Sequence, residues 1–157
     1  MYPDFERHVQ KALPPLRYSW ALMVATSLAW AGMGLIASPV VSLSDTGAVP
    51  TVTKVLAVLG VLCALATLVV DRAVITPRRM AALITVPDHA LLQRHLLGGH
   101  LVLWTLALLP AVFGFAQLLL GGTLVAHLAL CALSLIVLAL LLPTRARVAA
   151  RMEAVLR

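Results

Sequence analysis

Apolar stretches long enough to cross a membrane constrain this chain more than any other feature. Four of them lie at residues 18–41, 49–70, 96–120 and 123–142. A helix of about 20 apolar residues spans the hydrocarbon core of a bilayer, which is roughly 30 Å thick. The second stretch contains Lys54, whose ammonium group we expect to snorkel outward. The sequence therefore predicts an all-α integral membrane protein whose four transmembrane helices form two antiparallel hairpins.

The composition supports this class. Hydrophobic residues make up 62% of the 157 residues, whereas soluble domains are about 45–50% apolar. Outside the four spans only an arm (1–17), a link (71–95), a tail (143–157) and two short hairpin connections (42–48 and 121–122) remain, so we interpret residues 1–157 as a single membrane domain. We expect the first span to be retained, because mixed polar residues precede it and it is longer than the core of a signal peptide.

Prolines suggest two short interfacial helices beside the spans. In the arm, the segment PDFERHVQKALPP predicts a helix that ends at Pro14 and Pro15. In the link, Thr76 and Pro77 provide an N-cap and a first helical residue, and we expect RRMAALITV to lie flat on the membrane surface. Pro87 is then expected to restart a helix that continues into the third span.

The distribution of basic residues predicts the orientation. Of the 12 Lys and Arg residues, only Lys54 lies on one side of the predicted spans, and the other eleven lie in the arm, the link and the tail. This bias predicts that both termini and the link are cytoplasmic, in a bacterial-type inner membrane. The basic residues are spread along membrane boundaries and form no single patch, which argues against nucleic acid as a partner. Anionic lipids are the expected partner, and the candidates for headgroup contact are Arg72, Arg78, Arg79, Arg94, Arg145 and Arg147.

Small residues at helical spacing predict where the helices pack. Small side chains separated by three residues let two backbones approach closely in lipid, where no hydrophobic effect drives helices together. Pro110 should bend the third span, because proline cannot donate to the preceding turn. The helix-packing candidates are Gly34, Ser38, Gly60, Ala64, Ala107, Ala111 and Gly114.

The segment TLALLPAVFGFAQ, residues 105–117, resembles the carboxylate-bearing helix of the rotor proteolipids of rotary ATPases. In that family a pattern close to ALAEAIAIYGLVVA surrounds the ion-binding glutamate. Alignment of Ala107, Ala111, Phe113 and Gly114 with this pattern places Leu108 at the position of the acid. The resemblance implies a two-hairpin architecture, and the missing acid puts the family's ion transport in doubt for this chain.

No residue pattern in the sequence predicts catalysis, a cofactor or a metal. All six acidic residues lie at or beyond the ends of the predicted spans, so no embedded carboxylate is available for ion carriage. For Gln117 and Ser134, inside the spans, we expect interhelical hydrogen bonds. His127 is predicted near the interface opposite that of His95 and His100, a separation too large for two histidines to share one haem iron.

Two classes of function remain open. The first is a non-catalytic accessory or structural subunit that packs on larger subunits of an energy-converting or transport complex. The second is a small proteolipid-like transporter or channel that acts as a homo-oligomer. Interfacial histidines are usually structural, but His95 and His100 are also candidates for proton handling beside a partner.

Overall fold

A computed structural model describes residues 5–43, 50–74 and 89–153, and within these ranges the chain is helical and contains no strand. The prediction of an all-α protein is thus confirmed. The described residues form five helices, in the order α1 (Phe5–Leu43), α2 (Pro50–Val74), α3 (His89–Leu119), α4 (Leu124–Leu140) and α5 (Arg145–Glu153).

Three of these helices are long and apolar enough to cross a membrane. Their candidate spans are Val9–Val40 in α1, Thr51–Asp71 in α2 and Leu96–Leu119 in α3. The fourth predicted span corresponds to α4, an apolar helix of 17 residues. At 1.5 Å per residue it is about 26 Å long, slightly less than the hydrocarbon thickness. The helices thus indicate a membrane protein, with three helices long and apolar enough to span a bilayer and a shorter fourth apolar helix.

The structure differs from the prediction in the amino-terminal arm, because α1 does not break at Pro14 and Pro15. It continues through both prolines for 39 residues, about 58 Å. The missing proline N–H groups leave the carbonyls of Gln10 and Lys11 without helical donors, but both residues are exposed and water can replace those bonds. The opposite face of this part of α1 is buried, which stabilises the helix through the prolines; it consists of Val9, Ala12, Leu13 and Leu16.

The helix arrangement also differs from two self-contained hairpins. α3 packs against α1, α2 and α4, and α1 and α2 each contact both α3 and α4. Within the described residues α1 and α2 do not contact each other. Since both touch the α3–α4 pair, they lie on opposite sides of it. Of the two predicted hairpins, only the second consists of two helices, α3 and α4, that contact each other within the described residues.

The turn between α3 and α4 is short and specified by glycine. Gly121 has φ of 83°, a left-handed conformation that costs glycine little. Its N–H bonds the carbonyl of Leu118, and the N–H of Gly122 bonds the carbonyl of Gln117 at 2.9 Å, which together form a Schellman motif. Thr123 then caps α4, because its side chain accepts from the N–H of Ala126 at 3.2 Å. The chain thus reverses direction between α3 and α4 at Gly121 and Gly122.

The predicted tail contains a further helix, α5, which folds back onto the beginning of α1. Val148 is 1% exposed and belongs to the same apolar cluster as Val9 and Leu16. Glu6 and Arg145 form an ion pair at the surface beside it. The beginning of α1 and α5 therefore lie at the same end of the bundle. The predicted interfacial helix that starts at Thr76 lies outside the described residues.

Candidate functional site

A buried polar seam runs along the contact between α1, α3 and α4. Trp20 on α1 donates its indole N–H to the carbonyl of Leu138 on α4 at 2.8 Å. Two helical turns further along α1, the hydroxyl of Ser27 donates to that of Ser134 on α4 at 3.2 Å. Ser134 in turn donates to the carbonyl of Ala107 on α3 at 2.7 Å. Both serines are fully buried. This hydrogen-bonded chain joins three helices and confirms the interhelical bond predicted for Ser134.

The seam continues at His127, whose side chain is fully buried. Its Nε2 lies 3.2 Å from the carbonyl oxygen of Trp30 on α1. A carbonyl can only accept, so Nε2 carries the proton and the ring is a donor to α1. The sequence predicted a histidine near a membrane interface. The structure places it in the first turn of α4 with its side chain directed into the bundle.

Two glycines make room for the His127 ring. A Cβ on Gly34 of α1 would overlap Nε2 and Cδ2 of the ring, and a Cβ on Gly114 of α3 would stand 3.1 Å from Nδ1. The imidazole is therefore held between the backbones of two other helices. Phe115 also contacts it edge-on, with the ring centroids 5.9 Å apart, and Trp30 packs on Phe115 at 5.1 Å.

Cys131 lies one turn after His127 and is also buried. Its sulfur is 3.8 Å from Nδ1 and 3.7 Å from Nε2 of the histidine. Nearly equal distances place the sulfur on the plane that bisects the two nitrogens, and van der Waals contact then requires it to lie against the face of the ring. A metal ion bound by histidine lies in the ring plane, along a nitrogen lone pair. The two side chains are thus packed as neighbours, in a geometry unsuited to a shared metal.

His100 lies on α3 toward the other end of the seam and is 2% exposed. Its Nδ1 lies 2.8 Å from the carbonyl of Leu96, one turn earlier, so Nδ1 carries the proton. Its ring packs on Trp104, with centroids 5.3 Å apart. This candidate for proton handling is therefore buried, and its ring contacts residues of its own helix, Leu96 and Trp104. The side chain of His95 lies outside the described residues.

Two buried polar atoms lack a hydrogen-bond partner among the described residues: Nε1 of Trp104 and Oε1 of Gln117. Gln117 packs under the α3–α4 turn, where a Cβ on Gly122 would come within 2.6 Å of its Cγ and carbonyl oxygen. The interhelical hydrogen bond predicted for Gln117 is not made by this oxygen.

Most of the small residues predicted to pack helices are buried. Gly60 on α2 faces Leu130 of α4, where a Cβ would stand 3.0 Å from Cδ2, and Ala64 is 3% exposed. Ala107 and Ala111 on α3 are fully buried. Ser38 differs from the others, because its hydroxyl donates to the carbonyl of Leu35 within α1.

The basic residues predicted to contact lipid divide into three groups. Arg94 on α3 is exposed. Arg145 pairs with Glu6, and Arg147 donates to the carbonyl of Leu140 at the end of α4. The side chain of Arg72 and the whole of Arg78 and Arg79 lie outside the described residues.

Comparison of the chain with protein families, curated proteins and solved structures finds no match. In the part of the chain that the structure describes, no three His, Cys, Asp or Glu side chains are grouped to hold a metal ion. The role of the seam is therefore inferred from the contacts of its residues. Its hydroxyl, indole and imidazole groups bond to one another and to carbonyls of neighbouring helices, and so fix α1 against α3 and α4.

Proposed function

We propose that this protein is a non-catalytic accessory subunit of a larger membrane complex, and that it docks on its partner through the outward side of α1. The observation that supports this proposal is the distribution of small residues on α1. Its inward side meets α3 and α4 through Ser27 and Gly34, yet its opposite side also carries small residues. Small residues on a lipid-embedded helix favour close contact with another helix.

The outward row on α1 consists of Ala21, Ala25, Ala29 and Gly32, whose spacing of four, four and three residues keeps them on one side of the helix. The three alanines are exposed, and a Cβ on Gly32 would meet nothing within 4 Å. We call these four residues the α1 row. Tyr18, 82% exposed, precedes the row on the same side of the helix.

α2 has the opposite distribution. Gly60 and Ala64 are buried against the bundle, and the side chains exposed on its outward side are mostly large. Exposed on that side, at spacings of three and four residues, are Val55, Val58, Leu62, Leu65 and Val69. Branched side chains suit contact with acyl chains. We therefore assign α2 to lipid and the α1 row to a partner subunit.

In this proposal the protein resides in a bacterial-type inner membrane with both termini in the cytoplasm, and α4 completes the fourth span. The contact between the start of α1 and α5 supports an even number of crossings, because it brings both ends of the chain to one side. Arg94, with the basic residues of the link, would contact anionic headgroups on that side.

Native electrophoresis after mild detergent extraction tests the proposal. The chain should migrate far above its 16.7 kDa mass, together with different, larger subunits. The double substitution Ala25→Leu and Ala29→Leu should release it from that complex, because larger side chains separate the two backbones. Ala66→Leu provides the matched control, since Ala66 is an exposed alanine on α2. Equal retention of all three proteins in the complex would contradict docking through the α1 row.

The same preparation distinguishes the alternative, a proteolipid-like homo-oligomer that transports an ion or a solute. A ring of identical chains that moves protons in liposomes without any partner would replace the accessory-subunit proposal. Labelling of an embedded segment by a carbodiimide, which modifies protonated carboxyl groups in the membrane, would favour the same alternative. We expect no such labelling, because the acids of this chain lie at or beyond the ends of its predicted spans.

A further inference from the structure

We draw no further inference here: the strongest candidate, the buried pair of His127 and Cys131 where α1, α3 and α4 meet, carries no ligand site because its sulfur lies against the ring face and both side chains belong to the packing seam already described.

Discussion

Gly34 of α1 lies directly against the imidazole of His127 of α4, so closely that a methyl group on the glycine would overlap the ring. The ring cannot move away, because the backbone of Gly114 closes its other side. These two residues, 93 positions apart along the chain, thus fix how closely the first and fourth helices approach.

The first prediction concerns this contact. Gly34→Ala should lower the free energy of unfolding by about 1–3 kcal/mol, the usual cost of forcing extra atoms into a packed interior. Gly32→Ala, two residues away, adds the same methyl group where nothing lies within 4 Å. It should leave stability unchanged or raise it slightly, since alanine favours helix. Denaturation of the purified protein in mixed micelles compares the two variants, and equal effects would contradict the close contact between Gly34 and the His127 ring.

The second prediction concerns the serine chain. Ser134→Ala removes both the acceptor of Ser27 and the donor to Ala107, and should cost roughly 1 kcal/mol, in the range measured for hydrogen bonds between membrane helices. Ser27→Ala leaves the bond to Ala107 intact and should cost less. The double variant should resemble Ser134→Ala alone, because the bond that Ser27 donates is already lost when Ser134 is replaced.

Ser38→Ala is the control for this series, since Ser38 bonds only within its own helix turn. The same micelle denaturation measures all four proteins. If the effects of Ser27→Ala and Ser134→Ala simply added, the two serines would contribute independently, which would contradict a hydrogen bond between them.

The third prediction separates apolar packing from the ion pair between α1 and α5. Val148→Ala removes two buried methyl groups and should cost roughly 1–2 kcal/mol. Glu6→Gln breaks a pair whose side chains are 68% and 56% exposed, and should change stability by less than about 1 kcal/mol. Protection of α5 from limited proteolysis gives the measurement. A larger loss of protection in the Glu6 variant would show that charge, and not the apolar cluster, holds α5.

The fourth prediction concerns orientation. In a chain in which Cys63 and Cys131 are replaced by alanine, Gly47→Cys should react with an impermeant maleimide added to intact cells. Thr76→Cys should not react until the cells are opened. The basis is the excess of basic residues in the arm, link and tail over the single Lys54 on the other side. The reverse pattern of labelling would invert the assigned topology.

Much of the helical content follows from the sequence because a lipid-spanning segment leaves a signal in composition alone. The sequence predicts spans at residues 96–120 and 123–142. α3 ends at Leu119, and α4 runs from Leu124 to Leu140, each within two residues of the corresponding limit. The two glycines between these segments, Gly121 and Gly122, favour a turn, because glycine readily adopts the left-handed conformation found at Gly121. The predicted helix end at Pro14 is wrong, because burial of Val9 and Leu16 stabilises the helix more than the prolines destabilise it.

The seam could not be predicted, because periodicity shows that a residue faces inward without showing what it meets. His127 was judged from its depth in a span, and its burial depends on Gly34 and Gly114 in two other helices. A glycine spaced to face a histidine leaves no local signal. Nothing in the sequence around Trp20 indicates that its indole N–H donates to the carbonyl of Leu138 across the bundle.

The lack of contact between α1 and α2 in the described part of the chain has a consequence for biosynthesis. The ribosome delivers both helices before either of the two on which they pack. During translation each must therefore remain in the bilayer or the insertion machinery without a tertiary partner. The serines, histidine and glycines of the seam come together only when α4, near the end of the chain, has been made. The first helices of this protein can thus pack in their final positions only after its last helices have been synthesised.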